Sequence, residues 1–466
     1  MLFNTAQFFV FFVVVLVLFY RLPRPSRKYL LLIASYFFYG SWNVAFIPLL
    51  ATITLVDYAS ALWMDKVTDP RRRKMFLILS LAVNLGFLGF FKYYNFLGTI
   101  LAQILGLQPA SFTLAIILPI GISFHTFQSM SYVVDVYRGQ QKPVRNLTDY
   151  ALFIAFFPQL VAGPIVRAGE FFEDFYTWRK PDAEEVLRGV LWMLLGLVKK
   201  MALADQFAQI SDAYFSNLAA HPGAAAAWSG VFSFAMQIFF DFSGYTDMAI
   251  GMALLLGFHF PVNFKRPYLA FSVTDFWHRW HISLSRWLRD YLYIALGGNR
   301  GGAFKTYRNL FLTMLLGGLW HGASYNFIIW GGYHGALLAI ERASGRKRFL
   351  APPSALMYPV RALLTFVLVC IGWVFFRAAT LTDSIQVLSQ MFTGHWDSAQ
   401  FLIPAWLLYF VALSLVVALV EEKWEWIERL PNGPAWAYAA MVVALLFSVE
   451  LMGVTEKAVP FIYFQF

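Results

Sequence analysis

The residues of this chain best suited to chemistry are histidines set among apolar neighbours. His321 lies in "GGLWHGASYNF" (317–327), between Trp320 and Gly322 and just after Gly317 and Gly318. An imidazole titrates near neutral pH, so a buried one can take up and return a proton as a general acid or base. Its bland use is a hydrogen bond to a carbonyl of a neighbouring helix. The glycines favour the chemical reading, because they strip side chains from around the ring and admit either close helix packing or a substrate.

His281, in "HRWHISLS", is the second candidate. His278 precedes it by three residues, a spacing that puts both rings on roughly one face of a helix. A metal would need further Cys, His or carboxylate ligands. The nearby acids, Asp275 and Asp290, have Arg279, Arg286 and Arg289 to pair with, and Cys370 is the only cysteine. No metal site and no internal disulfide are therefore expected. The segment "FFDFSGYTDMAIG" (239–251) sets Asp241 and Asp247 in an apolar stretch. Carboxylates there are costly, and two uses stay open: the wall of a functional cavity, or structural pairing with Lys265 or Arg266 of "NFKRPY".

The elements that must hold these groups are membrane helices. Of 466 residues 59% are hydrophobic and 13% charged, with 49 Phe and 16 Trp, far from a soluble composition. Apolar runs of roughly 15 to 22 residues recur, about what a helix needs to cross hydrocarbon. Runs such as "FFVFFVVVLVLFY" do not alternate in polarity as a transmembrane β-barrel requires. The expected fold is all-α, a polytopic integral membrane protein with residues 1–466 as a single domain. Met1 to about Tyr20 lacks a signal-peptide pattern and is expected to stay as the first helix. No internal repeat and no nucleotide-binding fingerprint stands out.

The formal charge of +10 sits in short loops, where it sets orientation and does not point to nucleic acid. The basic loops "RLPRPSRKY", "DPRRRKM" and "ERASGRKRF" are expected on the cytoplasmic side. With spans at about 356–376, 401–420 and 436–454, both termini are then expected outside. "LPIGISFHTFQSMSY" (118–132) and "FFPQLVAGPIVR" (156–167) carry prolines and glycines, predicting broken helices in a packed interior with a cavity. The polar, aromatic stretch 268–300 predicts a helix capped by Ser272 or Thr274 and stopped at "GGNR". In 377–400, Ile385, Leu388 and Met391 recur at helical spacing and form an apolar face.

"DFSGYTDMAIG", "FWHRWHISLSRWLRDYLYIALGGNR", "TYRNLFLTMLLGGLWHGASYNFIIWGGYHG" and "PFIYFQF", with "SYFFYGSWN" and "FKYYNF" nearer the start, resemble the membrane-bound O-acyltransferase family. They are most similar to its bacterial branch, which serves O-acetylation of alginate, cellulose or peptidoglycan. The resemblance implies a helical bundle with a tunnel, His321 as catalytic histidine and His281 as the second characteristic position. The family's usual Phe-Trp-Arg-Arg-Trp-His string carries His278 at its first basic position here. The resemblance further implies acetyl-CoA as donor substrate with no permanently bound cofactor, the bacterial inner membrane as location, and glycans, alginate first, as the end of the pathway. Implied partners are the lipid bilayer, a periplasmic or membrane-anchored acetyltransferase of the SGNH type, and a polysaccharide synthesis or export complex; 377–400 offers either a docking surface for that acetyltransferase or a helix lying on the bilayer surface. A polysaccharide transporter and a non-catalytic scaffold are the rival classes; a scaffold has no use for His321.

Overall fold

The computed structural model describes residues 1–466 except 162, 346–348, 350, 455–459 and 465–466. Arg346, Lys347 and Arg348 of the third basic loop, Ala162, and Gln465 and Phe466 of the terminal motif therefore lie outside the described residues. Among the described residues the regular elements are helical, and six helices are long and apolar enough to cross a membrane. The late spans expected from hydropathy appear as Met357–Arg377, Ala405–Trp424 and Ala435–Met452. Two compact units emerge, Met1–Gly189 with Ala249–Pro261, and Val190–Met248 with Val262–Phe466.

The first unit contains α1 (Ala6–Arg21), α2 (Arg24–Gly40), α3 (Ile47–Lys66), α4 (Pro70–Leu88), α5 (Tyr94–Leu105), α6 (Ile122–Arg138), α7 (Leu147–Ala155), α8 (Phe157–Leu160), α9 (Ala168–Tyr176) and the start of α10 (Ala183–Leu197). Helix α1 buries Phe8, Phe12, Val15 and Phe19, a single stripe at helical spacing. The two segments expected to break do so. Gly121, at φ +75°, opens α6 where an added Cβ would lie 2.5 Å from the Leu160 carbonyl, so glycine is required there. The end of α7 is satisfied from outside the helix, since the side-chain amides of Gln128 (3.0 Å) and Gln159 (2.5 Å) both donate to the Phe153 carbonyl. This is how interrupted backbone is tolerated at membrane depth.

In the second unit α10 passes through a π-helical stretch, Val198–Ala204, into α11 (Asp205–Ser216). The long α12 (Ala224–Leu255) follows; its most apolar window is 83% buried, against 6% for Ala405–Trp424 and for Ala435–Met452, so α12 is a core helix and those two face lipid. Next come α13 (Val273–Arg279), α14 (Ile282–Trp287), α15 (Ala303–His321), α16 (Tyr325–Ala343), α17 (Met357–Arg377), α18 (Leu381–Thr393), α19 (Ala405–Trp424), α20 (Trp426–Arg429) and α21 (Ala435–Met452). Ser272 caps α13, accepting from the Asp275 amide at 3.0 Å, as the sequence predicted. In α18 the buried residues are not the whole of the apolar pattern. Ser384, Val387 and Met391 are buried, while Ile385 is 60% exposed.

Candidate functional site

His321 is the last residue of α15, and the glycines around it are used for packing. A Cβ on Gly318 would lie 2.3 Å from the Phe327 carbonyl of α16, one on Gly322 2.0 Å from the Phe327 ring, and one on Gly331 2.5 Å from the Met314 carbonyl. Of the two uses expected of these glycines, close helix packing is the one seen at Gly318, Gly322 and Gly331. They let two helix backbones touch, as small residues do in membrane bundles, and that contact fixes where the ring points.

The His321 ring is 4% exposed. Aromatic rings surround it: Trp320 at 4.9 Å, Trp330 and Phe376 at 5.1 Å and Tyr463 at 5.7 Å between centroids. His281 belongs to the same cluster. Its ring lies 4.7 Å from Phe242 and 6.2 Å from Trp320, and Phe242 lies 4.5 Å from Tyr463. Two aromatic bridges thus join the histidines, one through Trp320 and one through Phe242 and Tyr463. The C-terminal motif supplies Tyr463, so residues from α12, the α13–α14 break, α15, α17 and the chain's last segment converge here.

His281 does not share a helical face with His278, which corrects the reading of that spacing. Helix α13 ends at Arg279, and His281 takes the left-handed conformation at φ +42° as the cap of α14. The break is pinned by backbone pairing with a preceding extended segment, Lys265 N–H to the Arg279 carbonyl and Ile282 N–H to the Asn263 carbonyl, each 2.9 Å. His278 is left exposed while His281 is fully buried. A non-glycine residue held at positive φ in a core is a conformation the surroundings must impose.

That geometry also selects a tautomer. Asn263 Oδ1 accepts from the Ser283 N–H (3.0 Å) and hydroxyl (2.9 Å) and faces His281 Nδ1 at 3.2 Å. Facing an acceptor, Nδ1 must carry the proton, and in the neutral ring Nε2 then holds the lone pair. Asn263 and Ser283 escaped the sequence reading because neither is unusual until the chain folds back on itself.

Asp275 and Asp290 pair with arginines as expected, whereas Asp241 and Asp247 take other partners than Lys265 and Arg266. Asp241 binds Lys200 at 2.9 Å and Asp247 binds Lys199 at 2.5 Å, in place of Lys265 or Arg266. Arg266 pairs with Glu422 at 2.5 Å, and Asp275 with Arg279 at 3.0 Å. Asp290 pairs with Arg289 at 2.6 Å. His334 of α16 is a further fully buried imidazole that sequence reading passed over, 4.9 Å from Trp330 and 5.3 Å from Trp277.

Comparison with known proteins matches residues 140–382 to the model of the membrane-bound O-acyltransferase family. The chain is 47% identical over 406 residues to the probable alginate O-acetylase AlgI of Pseudomonas aeruginosa, covering 86% of this chain and 76% of that protein. It is 38% identical over 427 residues to the peptidoglycan O-acetyltransferase of Helicobacter pylori, covering 84% and 80%. With the teichoic acid D-alanyltransferase of Bacillus subtilis it shares 30% identity over 273 residues, 55% of this chain and 68% of that one. On the family match and on these identities, the chain belongs to the membrane-bound O-acyltransferase family.

Proposed function

We propose that the protein is a membrane O-acetyltransferase that takes an acetyl group from a cytoplasmic thioester, acetyl-CoA, and passes it through the bacterial inner membrane for O-acetylation of an exopolysaccharide. Alginate is the first choice of glycan, in keeping with the P. aeruginosa relative; peptidoglycan is the alternative, in keeping with the H. pylori relative. The observation that carries this reading is the aromatic cluster that holds His321 and His281 together. His321 acts as general base. It withdraws the acceptor's hydroxyl proton as the oxygen attacks the thioester carbonyl; the C–S bond breaks and the proton passes to the departing thiolate. His281, anchored through Nδ1 to Asn263, presents the Nε2 lone pair to orient the acceptor. The aromatic walls exclude water, which would otherwise hydrolyse the thioester.

Both termini are assigned to the periplasmic side, and an SGNH-type acetyltransferase of the periplasm receives the group for the glycan. The test is transfer of labelled acetyl from acetyl-CoA in inverted membrane vesicles. His321→Ala is expected to cost about 10² to 10⁴ in rate while the protein stays folded in the membrane, and His281→Ala a smaller factor. Full transfer by His321→Ala would remove the assignment, and glycan export without acetyl transfer would favour a transporter.

A further inference from the structure

Beside these aromatic rings lies a charged cluster that the proposed chemistry does not use. The Lys200 ammonium is 1% exposed and binds two carboxylates, Asp205 at 2.7 Å and Asp241 at 2.9 Å, which are 1% and 3% exposed. One ammonium cannot balance two carboxylates. The other oxygen of Asp241 accepts the backbone N–H of Ile462 at 2.6 Å, so the amide that completes the cluster belongs to the C-terminal segment. That segment is tied at two more points. Phe461 packs on Tyr245 at 4.5 Å, and Tyr463 packs on Phe242 at 4.5 Å and faces His321.

Local structure brings the cluster together. A Cβ on Gly196 would lie 2.4 Å from the Gly244 carbonyl, and one on Gly244 2.7 Å from the Gly196 carbonyl, so the end of α10 runs in contact with α12. The π-helical turn that follows alters the angular spacing of successive residues. Adjacent Lys199 and Lys200 then both reach α12, at Asp247 and Asp241. The chain just after α21 is fastened to the same stretch: Gln206 Nε2 donates to the Met452 carbonyl at 2.8 Å, and Val454 N–H to the Met201 carbonyl at 3.3 Å.

We infer that Lys200, Asp205 and Asp241 form a buried charge lock that fastens the C-terminal segment Phe461–Tyr463 against the aromatic rings beside His321. The three are positioning residues, acting on the site through the Ile462 amide. If the segment left, a buried carboxylate oxygen would lose its donor, and leaving such a group unpaired is costly. The lock holds the segment because the segment completes the lock. The inference rests on the acetyltransferase reading for its effect on activity, though not for the fastening itself.

Two variants separate these. Asp241→Asn removes the charge that holds the amide, and Ile462→Pro removes the N–H while leaving all three charged side chains in place. Hydrogen exchange on the full chain in detergent is read at the C-terminal peptide and at α15, alongside acetyl transfer by the same samples. Exchange of the C-terminal peptide is expected to rise at least about tenfold in Ile462→Pro and by less in Asp241→Asn, whose amide oxygen can still accept, with α15 unchanged and transfer reduced at least about tenfold in Ile462→Pro. Unchanged protection of the C-terminal peptide in Ile462→Pro overturns the lock, even if Asp241→Asn fails to fold. Release of the peptide with full transfer overturns its role in positioning the site. A wild-type protein that transfers no acetyl from acetyl-CoA defeats the functional reading alone, because exchange still reports on the fastening.

Discussion

Two helical hairpins, one in each unit, solve the same problem in opposite ways. In the first unit α3 and α4 are joined by the link 67–69; in the second α15 and α16 are joined by the link 322–324, of equal length. The α3–α4 hairpin is stitched by polar atoms. Asp57 on α3 is fully buried, and it accepts from the Ser80 hydroxyl at 2.5 Å and from the Asn84 amide at 2.9 and 3.0 Å. The α15–α16 hairpin is closed by backbone contact at Gly318 and Gly331, and its histidine is ringed by aromatic carbons. In the first hairpin the polar group is spent on neighbours across the interface. In the second, glycines do the joining. A buried polar group in a membrane protein is a functional candidate by default, and the two hairpins differ in whether polar atoms or backbone contacts join their helices.

The sharpest way to break the comparison is to put a side chain where the second hairpin has none. Gly318→Leu would drive Cβ against the Phe327 carbonyl and the Gly331 Cα, at 2.3 and 2.9 Å. Backbone on a packed helix cannot step aside cheaply, so the loss should reach the upper end of the roughly 1–3 kcal/mol usual for overpacking, or exceed it. The expected outcome is little or no monodisperse protein on size-exclusion chromatography in detergent. A well-folded Gly318→Leu would mean that the helices are not held by backbone contact.

The first hairpin should respond to the kind of substitution rather than to its size. Asp57→Leu leaves the Ser80 and Asn84 donors facing an apolar side chain, at about 1–3 kcal/mol. Asp57→Asn keeps an acceptor oxygen and should cost under about 1 kcal/mol. Thermal unfolding in detergent checks the order. Acetyl transfer sharpens it further: both variants, where folded, should keep activity, and an Asp57→Asn protein as inactive as His321→Ala would erase the distinction between a structural and a chemical polar group.

How much of this could be read beforehand follows from the range of each interaction. Hydropathy over a window located the late spans to within a few residues, because lipid exposure is a property of contiguous sequence. Pro119, Gly121, Pro158 and Gly163 announced the broken segments, because their backbone limits are local. His321 and His281 stood out by type against apolar neighbours. Long-range features stayed hidden. Lys199 and Lys200 reach α12 only because α10 ends in a π-helical turn against Gly244, and nothing in "LVKKMALA" marks that turn. The His278–His281 spacing misled because pairing with residues 263–265 breaks the helix between them.

Smaller effects test whether the first unit also uses charge where water can reach. His259, about half exposed, has Nδ1 3.0 Å from Asp174 and Nε2 3.1 Å from Glu185. Its bond to Asp174, then that to Glu185, pushes it up to about 9. Arg179, bound at 2.5 Å, is the main reason Glu185 is held down to about 2. A group raised in the folded state stabilises fully below its ordinary value of 6.5 and loses that contribution as pH rises through about 9. The melting temperature of wild type should therefore exceed that of His259→Gln near neutral pH, by a modest margin because solvent screens the pair. The gap should shrink as pH passes through the histidine's raised value. A gap unchanged across that range would mean the ring is held by packing and not by charge.

Least should happen at Gly86 of α4. An added Cβ there meets nothing within 4 Å, in contrast with Gly318, although both glycines are helical. Alanine removes backbone freedom from the unfolded chain, worth about 0.5–1 kcal/mol in a helix, and meets no clash to offset it. Gly86→Ala should therefore unfold at the same temperature as wild type or slightly above it. A fall in melting temperature comparable to that of Asp57→Leu would show that α4 needs its glycine for close approach as α15 does, and the two hairpins would then be built alike.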